Sequence, residues 1–232
     1  MITETIASRL EEVNERIARA SERRGTGGEV TVVAVTKGHS ADVARAALEA
    51  GLGVLGENRV GEMESKVAEI GRDAADWHFI GRLQRRKARQ VVALADLVHS
   101  VDSLRLAEAL SRRAVEAERS LPVLVQVNAS GEESKTGIRP EEGIELIGPV
   151  CELAGLRVEG VMTMAPFTDD RSVLRETFRR TRTLFEEADR QIEGFRGTHL
   201  SMGMSNDYEI AVEEGSNMVR LGTVLFGERS YD

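Results

Sequence analysis

Hydrophobic residues recur along the chain in two alternating patterns. Residues 1–24 have the periodicity of an amphipathic helix, with one apolar face at Ile2, Ile6, Leu10, Val13 and Ile17. Beyond this helix, short apolar runs alternate with segments of helical periodicity. The predicted strands are residues 30–36, 53–56, 77–80, 97–101, 122–128, 158–164, 199–202 and 218–221, and the predicted helices are 41–50, 59–70, 83–95, 104–119, 141–153, 171–192 and 206–214.

This alternation predicts an α/β fold, a single (β/α)8 TIM barrel, because eight strands are each followed by a helix or a helix-like start. The longest strands are continuously apolar, which is typical of parallel strands buried on both faces. An open doubly wound sheet is the alternative, but its usual GxGxxG turn is replaced after strand 1 by Lys37-Gly38-His39-Ser40. Since such barrels use about 250 residues, we expect one domain over residues 1–232 that includes the helix 1–24.

Composition and charge argue against several classes of function. The chain has 31 basic and 39 acidic residues and 4% aromatic residues, which argues against a nucleic-acid partner. No apolar run approaches the roughly 20 residues of a membrane span, and residues 1–24 do not resemble a secretory signal. The single cysteine, Cys151, excludes an internal disulfide and indicates the reducing cytoplasm. The four histidines lack the spacing of metal ligands; they are His39, His78, His99 and His199.

Candidate chemistry lies where the predicted strands end, because barrel enzymes place their sites at the carboxyl ends of the strands. Strand 1 is followed by Lys37. An arbitrary lysine is usually a solvated charge, but at a barrel mouth it is a candidate Schiff-base amine once desolvation or a nearby cation lowers its pKa. Strand 2 is followed by Asn58, which either binds a ligand or caps the next helix.

The last two strands run into small and hydroxyl-bearing residues. Strand 7 leads through residues 201–205 to Asn206, and Glu209 follows three residues later in the pattern of a capping box. Strand 8 is followed by Gly222-Thr223 and a short helical segment. This step suits a phosphate, because backbone N–H groups and a hydroxyl can point at it, although a plain turn has the same sequence.

Closure of a barrel pairs strand 8 with strand 1. Lys37 and the Gly222-Thr223 step are therefore expected on neighbouring strand ends. A small ligand with an aldehyde at one end and a phosphate at the other fits this arrangement. Pyridoxal 5′-phosphate (PLP) is one such ligand, and a sugar phosphate bound by a Schiff-base aldolase is another.

Seven blocks of sequence, in the right order, resemble the pyridoxal phosphate homeostasis proteins (the YggS/PROSC family) over about residues 30–229. The blocks are residues 33–37, 56–60, 77–87, 98–102, 127–128 with 133–137, 200–207 and 219–227. The resemblance implies a single barrel similar to the N-terminal domain of alanine racemase, the type III fold of PLP proteins, with Lys37 as the cofactor lysine. It also implies cofactor contacts from Asn58, Met162, Ser201, Met202, Ser205, Arg220, Gly222 and Thr223.

Arg220 is implied to lie beside the pyridine nitrogen of the cofactor, or between ring and phosphate. A positive charge at the nitrogen disfavours its protonation, and this makes the ring a weaker electron sink. Racemisation also needs a second acid or base on the other face of the substrate. The related racemases take it from a separate domain, and neither tyrosine of this chain, Tyr208 or Tyr231, is well placed to replace it.

Three hypotheses of function follow. The first is a PLP carrier that holds the cofactor as a lysine aldimine, buffers it and delivers it to apo-enzymes without turnover. The second is a PLP-dependent amino-acid racemase, and the third is a Schiff-base aldolase. The missing second base favours the carrier. Because no second domain supplies a dimer contact, we expect a cytoplasmic monomer whose enzyme partners bind transiently.

Several other residues have two interpretations. Lys135 either holds a second PLP or pairs with Glu132 or Glu133. Met162 and Met164 face the same way along strand 6, so they either cover the ring or fill the barrel.

Further conspicuous side chains are predicted to be structural. Trp77 is expected in the core, and His78, His99 and His199 are expected to be buried and hydrogen-bonded. A basic run is either a solvated face or an anion-attracting rim above the barrel mouth; it comprises Arg82, Arg85, Arg86, Lys87 and Arg89.

Overall fold

Eight parallel strands close into a barrel in which each strand pairs with its neighbour in sequence and the last pairs with the first. This computed structural model describes residues 2–25, 28–132 and 136–228. The register of the closing pair sets Val33 against Arg220 and Ala34 against Leu221. The predicted (β/α)8 barrel is therefore confirmed.

The strands and helices alternate along the chain as the hydrophobic pattern predicts. The strands are β1 Thr31–Val35, β2 Val54–Glu57, β3 Asp76–Phe79, β4 Leu97–Val101, β5 Leu121–Val127, β6 Leu156–Thr163, β7 His199–Met204 and β8 Met218–Leu221. The helices are α1 Ile2–Arg24, α2 Ala41–Glu49, α3 Val60–Ile70, α4 Ala88–Leu94, α5 Leu104–Glu116, α6 Gly143–Cys151, α7 Arg171–Gln191, α8 Tyr208–Glu213 and α9 Thr223–Phe226. None of these helices combines the length and the apolar character that crossing a membrane requires.

Side chains alternate between the two faces of every strand, and this separates two cores. The larger core packs the outer faces of the strands against the helices, and it contains Trp77 and Phe79. A smaller cluster fills the barrel interior and consists of Val33, Leu97, Leu124, Met162 and Met218. The prediction that Trp77 is a core residue is confirmed.

Helix α1 covers one flank of the barrel by packing on α2, α8 and α9. Its buried positions are Ile6, Val13, Ile17 and Ala20. Ile2 was predicted on the same face but is 54% exposed, so the prediction is wrong for this residue.

Two predicted helices begin later than the sequence pattern suggests. The helix predicted from residue 83 begins at Ala88, because Gln84 is extended and Arg85–Lys87 form a 3-10 turn. The helix predicted from residue 206 begins at Tyr208. The capping box predicted for Asn206 is wrong, since Asp207 occupies the cap position and its carboxylate accepts from the Met204 N–H at 2.6 Å.

Candidate functional site

A cavity of about 230 Å³ opens where the strands end. This is the edge at which barrels of this type place their sites. Its walls come from β1, β2, β3, β6, β7 and β8 and the loops that follow them. The lining residues are Val35, Lys37, Asn58, Ile80, Met164, Ala165, Pro166, Phe167, Thr168, Met204, Ser205, Asn206, Asp207, Arg220, Gly222 and Thr223.

Six of the nine residues predicted to contact the cofactor lie on this wall. They are Lys37, Asn58, Ser205, Arg220, Gly222 and Thr223. The other three lie elsewhere for reasons of strand geometry. Met162 and Ser201 point into the barrel one layer below the cavity, and Met202 points outward into the core beneath the helices. These three side chains do not line the cavity, and their contact with a cofactor stays a prediction.

The sequence patterns did not reveal the loop that follows β6. Residues 164–168 form one wall of the cavity, and Phe167 on this loop is 92% exposed. Met164 is the methionine on the wall, whereas Met162 fills the barrel. In the sequence, the available signal was a phenylalanine shortly before an aspartate that can cap the next helix, Phe167 and Asp170. A loop of this kind has no periodicity that a pattern search could detect.

The Gly222-Thr223 step opens a short helix, as predicted. The N–H groups of Gly222 and Val224 both point at the Ser205 hydroxyl, at 3.3 and 3.4 Å. The chain reaches Ser205 through Gly203, which adopts a φ of 100° that favours glycine. A side chain at this position would also clash, because an added Cβ would lie 2.7 Å from the Ala211 side chain. Donors from two strand ends therefore converge on one corner of the cavity.

Arg220 forms the floor of the cavity and is 4% exposed. Its Nη1 donates to the carbonyl and hydroxyl oxygens of Ser201, and its Nη2 donates to the Thr163 carbonyl at 2.7 Å. Burial lowers the pKa of Arg220 to about 10, and the nearby Asp207 carboxylate opposes this shift. The guanidinium therefore stays charged at neutral pH and is held rigidly by three contacts.

A chain of buried polar groups runs from Arg220 through the barrel interior. The Ser201 hydroxyl lies 3.1 Å from His99 Nδ1, and His99 Nε2 lies 3.0 Å from His78 Nδ1. Both contacts can form with the two imidazoles neutral, because a neutral ring has one donating and one accepting nitrogen. Burial lowers the pKa of His78 to about 3 and the pKa of His99 well below its usual value, which agrees with this assignment. The predicted structural role of these two histidines is confirmed.

This histidine pair predicts a pH dependence of stability. In the unfolded chain the histidine side chains bind protons near pH 6.5, whereas in the folded protein burial lowers the pKa of His78 to about 3. The free energy of unfolding is therefore expected to fall as the pH is lowered from 7 to 5, with a slope approaching about 1.4 kcal/mol per pH unit for each histidine. Urea denaturation measures this slope. The His78→Gln/His99→Gln variant should flatten it, and an equal slope in both proteins would contradict the assignment.

A buried ion pair supports the end of β1 from outside the barrel. Lys66 on α3 and Glu57 on β2 are 4% and 0% exposed. The Glu57 carboxylate also accepts from the Thr36 hydroxyl at 2.6 Å, and the Lys66 ammonium donates to the Thr36 carbonyl at 2.7 Å. Burial raises the pKa of Glu57, and the charge of Lys66 opposes that shift. Since Thr36 directly precedes Lys37, this network positions the lysine at the barrel mouth.

Asn58 carries an unpaired polar atom on the cavity wall. Helix α3 begins at Val60 with Arg59 at its cap, so Asn58 is not the cap. The Asn58 Oδ1 atom is buried and has no hydrogen-bond partner among the described residues. Buried polar atoms are normally paired, so an unpaired acceptor on a cavity wall favours the ligand-binding interpretation.

Comparison with known proteins identifies the class of this barrel. A family model for the N-terminal domain of alanine racemase matches residues 9–230. Alanine racemase from Corynebacterium glutamicum is similar in structure, with a TM-score of 0.74 and 17% identity over 98% of this chain and 62% of that one. This likeness concerns the fold alone.

Two relatives are much more similar. A pyridoxal phosphate homeostasis protein of Aquifex aeolicus is 41% identical over 96% of this chain and 98% of its own length. The structure of PipY from Synechococcus elongatus with PLP bound has a TM-score of 0.84 and 36% identity, over 96% of this chain and all of that one. The chain belongs to the family of pyridoxal phosphate homeostasis proteins, as its sequence blocks predicted.

Proposed function

We propose that this chain binds PLP through Lys37, holds it and releases it, without catalytic turnover. The observation that carries the proposal is the placement of Lys37, Arg220 and Gly222-Thr223 on one cavity. When bound, the cofactor supplies an aldehyde that reacts with a primary amine, and Lys37 is the amine on this wall. The relatives support PLP as the ligand, rather than a sugar phosphate, since one is named for PLP homeostasis and another was solved with PLP.

The remaining polar groups on the wall suit the rest of the ligand. The Ser205 hydroxyl accepts two N–H groups, so its own hydrogen is available to a phosphate oxygen, and the Thr223 hydroxyl lies on the same corner. Arg220 carries two further N–H groups, one on Nη2 and one on Nε, beyond those already used. One cationic donor at the floor and several donors at one corner match a ligand with a ring nitrogen and a phosphate.

The charged groups on the wall argue against turnover as a racemase. In the described part of the lining, the ionisable residues are Lys37, Asp207 and Arg220. Asp207 already accepts from the Met204 N–H. Tyr208 does not line the cavity, and Tyr231 lies outside the described residues. A racemase needs a second acid or base opposite the lysine. Among the described lining residues the one carboxylate is Asp207, and its contact with the backbone argues against that role.

Replacing Thr223 tests the phosphate corner. Thr223→Val removes a hydroxyl and keeps the shape of the side chain. It should weaken the binding of PLP by roughly 1–2 kcal/mol, the size of one hydrogen bond to a charged group, and leave unphosphorylated pyridoxal nearly unchanged. Fluorescence titration with both ligands measures the difference. Thr168→Val, on the loop after β6, is the control and should not change the ratio; equal losses for both ligands with Thr223→Val would move the phosphate elsewhere.

Incubation with single amino-acid enantiomers tests the absence of turnover. The protein with PLP in deuterated solvent should convert neither L- nor D-alanine faster than free PLP does. The same preparation should transfer PLP to an apo-enzyme, measured as recovered activity of that enzyme. Conversion well above the free PLP rate would restore the racemase hypothesis.

Three finer statements remain predictions. Lys135, the residue considered for a second PLP, lies outside the described residues. The monomeric state and the cytoplasmic location are expectations from the sequence. Transient delivery to apo-enzymes is part of the proposal and depends on the transfer experiment.

A further inference from the structure

Six exposed arginines form one surface beside the cavity mouth, which we call the basic patch. They are Arg82, Arg85, Arg86, Arg89, Arg105 and Arg112. Two adjoining clefts connect them, because Arg85 and Arg105 line both. The patch is assembled in space from the loop after β3, helix α4 and helix α5, so only part of it is a continuous run in the sequence.

The basic patch differs from the other cationic surfaces in its lack of carboxylate partners. In the part of the chain that the structure describes, none of its six guanidinium groups forms an ion pair, and Arg86 donates to the Gln84 amide. Several arginines on α7, by contrast, are paired: Arg175 contacts Glu213 and Glu214, and Arg180 contacts Glu141. In a chain of net charge −8, six arginines without ion pairs on one face are a local reversal of charge.

The patch lies on the same end of the barrel as the cavity. Ile80 lines the cavity, and Arg82 follows two residues later. The chain is tightly held between them, since an added Cβ at Gly81 would lie 2.1 Å from the Asn58 carbonyl oxygen. Arg105 lies in the first turn of α5, close after the end of β4. A partner bound to the patch would therefore sit next to the opening.

We infer that the basic patch is a docking surface for the acidic face of another protein. Guanidinium groups bind carboxylates in a two-pronged geometry, and arginine is enriched at protein interfaces. Between the arginines, the buried side chains of Leu83, Leu106 and Ala109 give the clefts an apolar floor. Docking itself does not require PLP; its use in passing a ligand to the partner rests on the proposed function.

Nucleic acid fits this surface less well. The described residues that line the two clefts include no aromatic side chain on which a base could stack. Asp102 and Glu108 also line the clefts, and a partner's anionic groups, phosphate or carboxylate, must be spaced to avoid them. The net charge of −8 would repel a polyanion that extends beyond the patch. A compact acidic protein surface needs no stacking partner, and its negative charge can end at the edge of the patch.

The test compares two variants of the full chain with equal changes in charge. The patch variant is Arg82→Gln/Arg85→Gln/Arg89→Gln/Arg105→Gln. The matched control is Arg24→Gln/Arg171→Gln/Arg190→Gln/Arg196→Gln, which removes four exposed arginines that form no ion pair among the described residues. The probes are fluorescein-labelled poly-L-glutamate and oligothymidylate of equal charge, followed by fluorescence anisotropy at low and physiological salt.

Poly-L-glutamate should bind the wild type more tightly than oligothymidylate does. The patch variant should lose about tenfold in affinity, the combined effect of four exposed ion pairs, and the control should stay within about twofold. Equal losses in both variants, or retained binding by the patch variant, would overturn the docking surface. Tighter, patch-dependent binding of oligothymidylate would replace it with a nucleic-acid site. PLP titration of both variants is expected to match the wild type, and a failure to bind PLP in all three proteins would refute the proposed function alone.

Discussion

Lys37→Ala is expected to abolish covalent attachment of PLP while leaving the barrel folded. The chain has four lysines, namely Lys37, Lys66, Lys87 and Lys135. Lys37 alone among the three described ones lines the cavity. Lys66 is buried in an ion pair outside the barrel. Because Lys37 is half-buried at the end of a strand and fills no core, its removal should cost little stability.

Absorption spectra and mass mapping measure this effect. Wild-type protein with PLP should gain a visible band, and borohydride reduction should fix the added mass on the peptide that contains Lys37. The Lys37→Ala variant should lack both signals, a loss of at least about a hundredfold in labelled protein, because no other amine lines the described cavity wall. Lys87→Ala is the matched control and should label normally. Full labelling of Lys37→Ala would remove this lysine from the function, and weak labelling at Lys135 would reveal a second site.

Lys66→Met is expected to destabilise the protein strongly. The substitution leaves the Glu57 carboxylate buried without its ion-pair partner and takes one hydrogen bond from the Thr36 carbonyl. Breaking a buried pair from one side costs about 3–5 kcal/mol. In a protein of this size that corresponds to a fall in Tm of roughly 10 °C. Thermal and urea denaturation measure it.

Two further variants separate the charge effect from packing. The double variant Glu57→Leu/Lys66→Met removes both charges and should recover much of the lost stability, since apolar replacements of buried pairs are often neutral. Glu15→Gln breaks an exposed pair with Arg19 on α1 and should change stability by less than about 1 kcal/mol. If Lys66→Met is no more destabilising than Glu15→Gln, the buried pair does not support the end of β1.

The candidate site was partly readable from sequence because strand ends in a barrel converge. Lys37, Asn58 and Gly222-Thr223 follow predicted strands, so the fold rule alone brings them to one edge. Arg220 and Ser205 were placed there by resemblance. The layer of a side chain within the barrel was not readable, because strand boundaries shift by one or two residues. Met162 and Ser201 consequently lie below the cavity, and Met202 points away from it.

What the sequence determined by itself is the alternation of eight apolar strands with helices and the order of the family's blocks. Both follow from hydrophobic periodicity and from the identity of the residues in each block, which can be read without knowledge of the fold. Only the tertiary structure decided the contacts between distant segments. The pairing of Ser201 with His99 and Arg220, the ion pair of Glu57 with Lys66, and the union of Arg82 with Arg105 in one patch join separate strands and helices. Such contacts depend on barrel closure and strand register, and no local pattern in the chain encodes them.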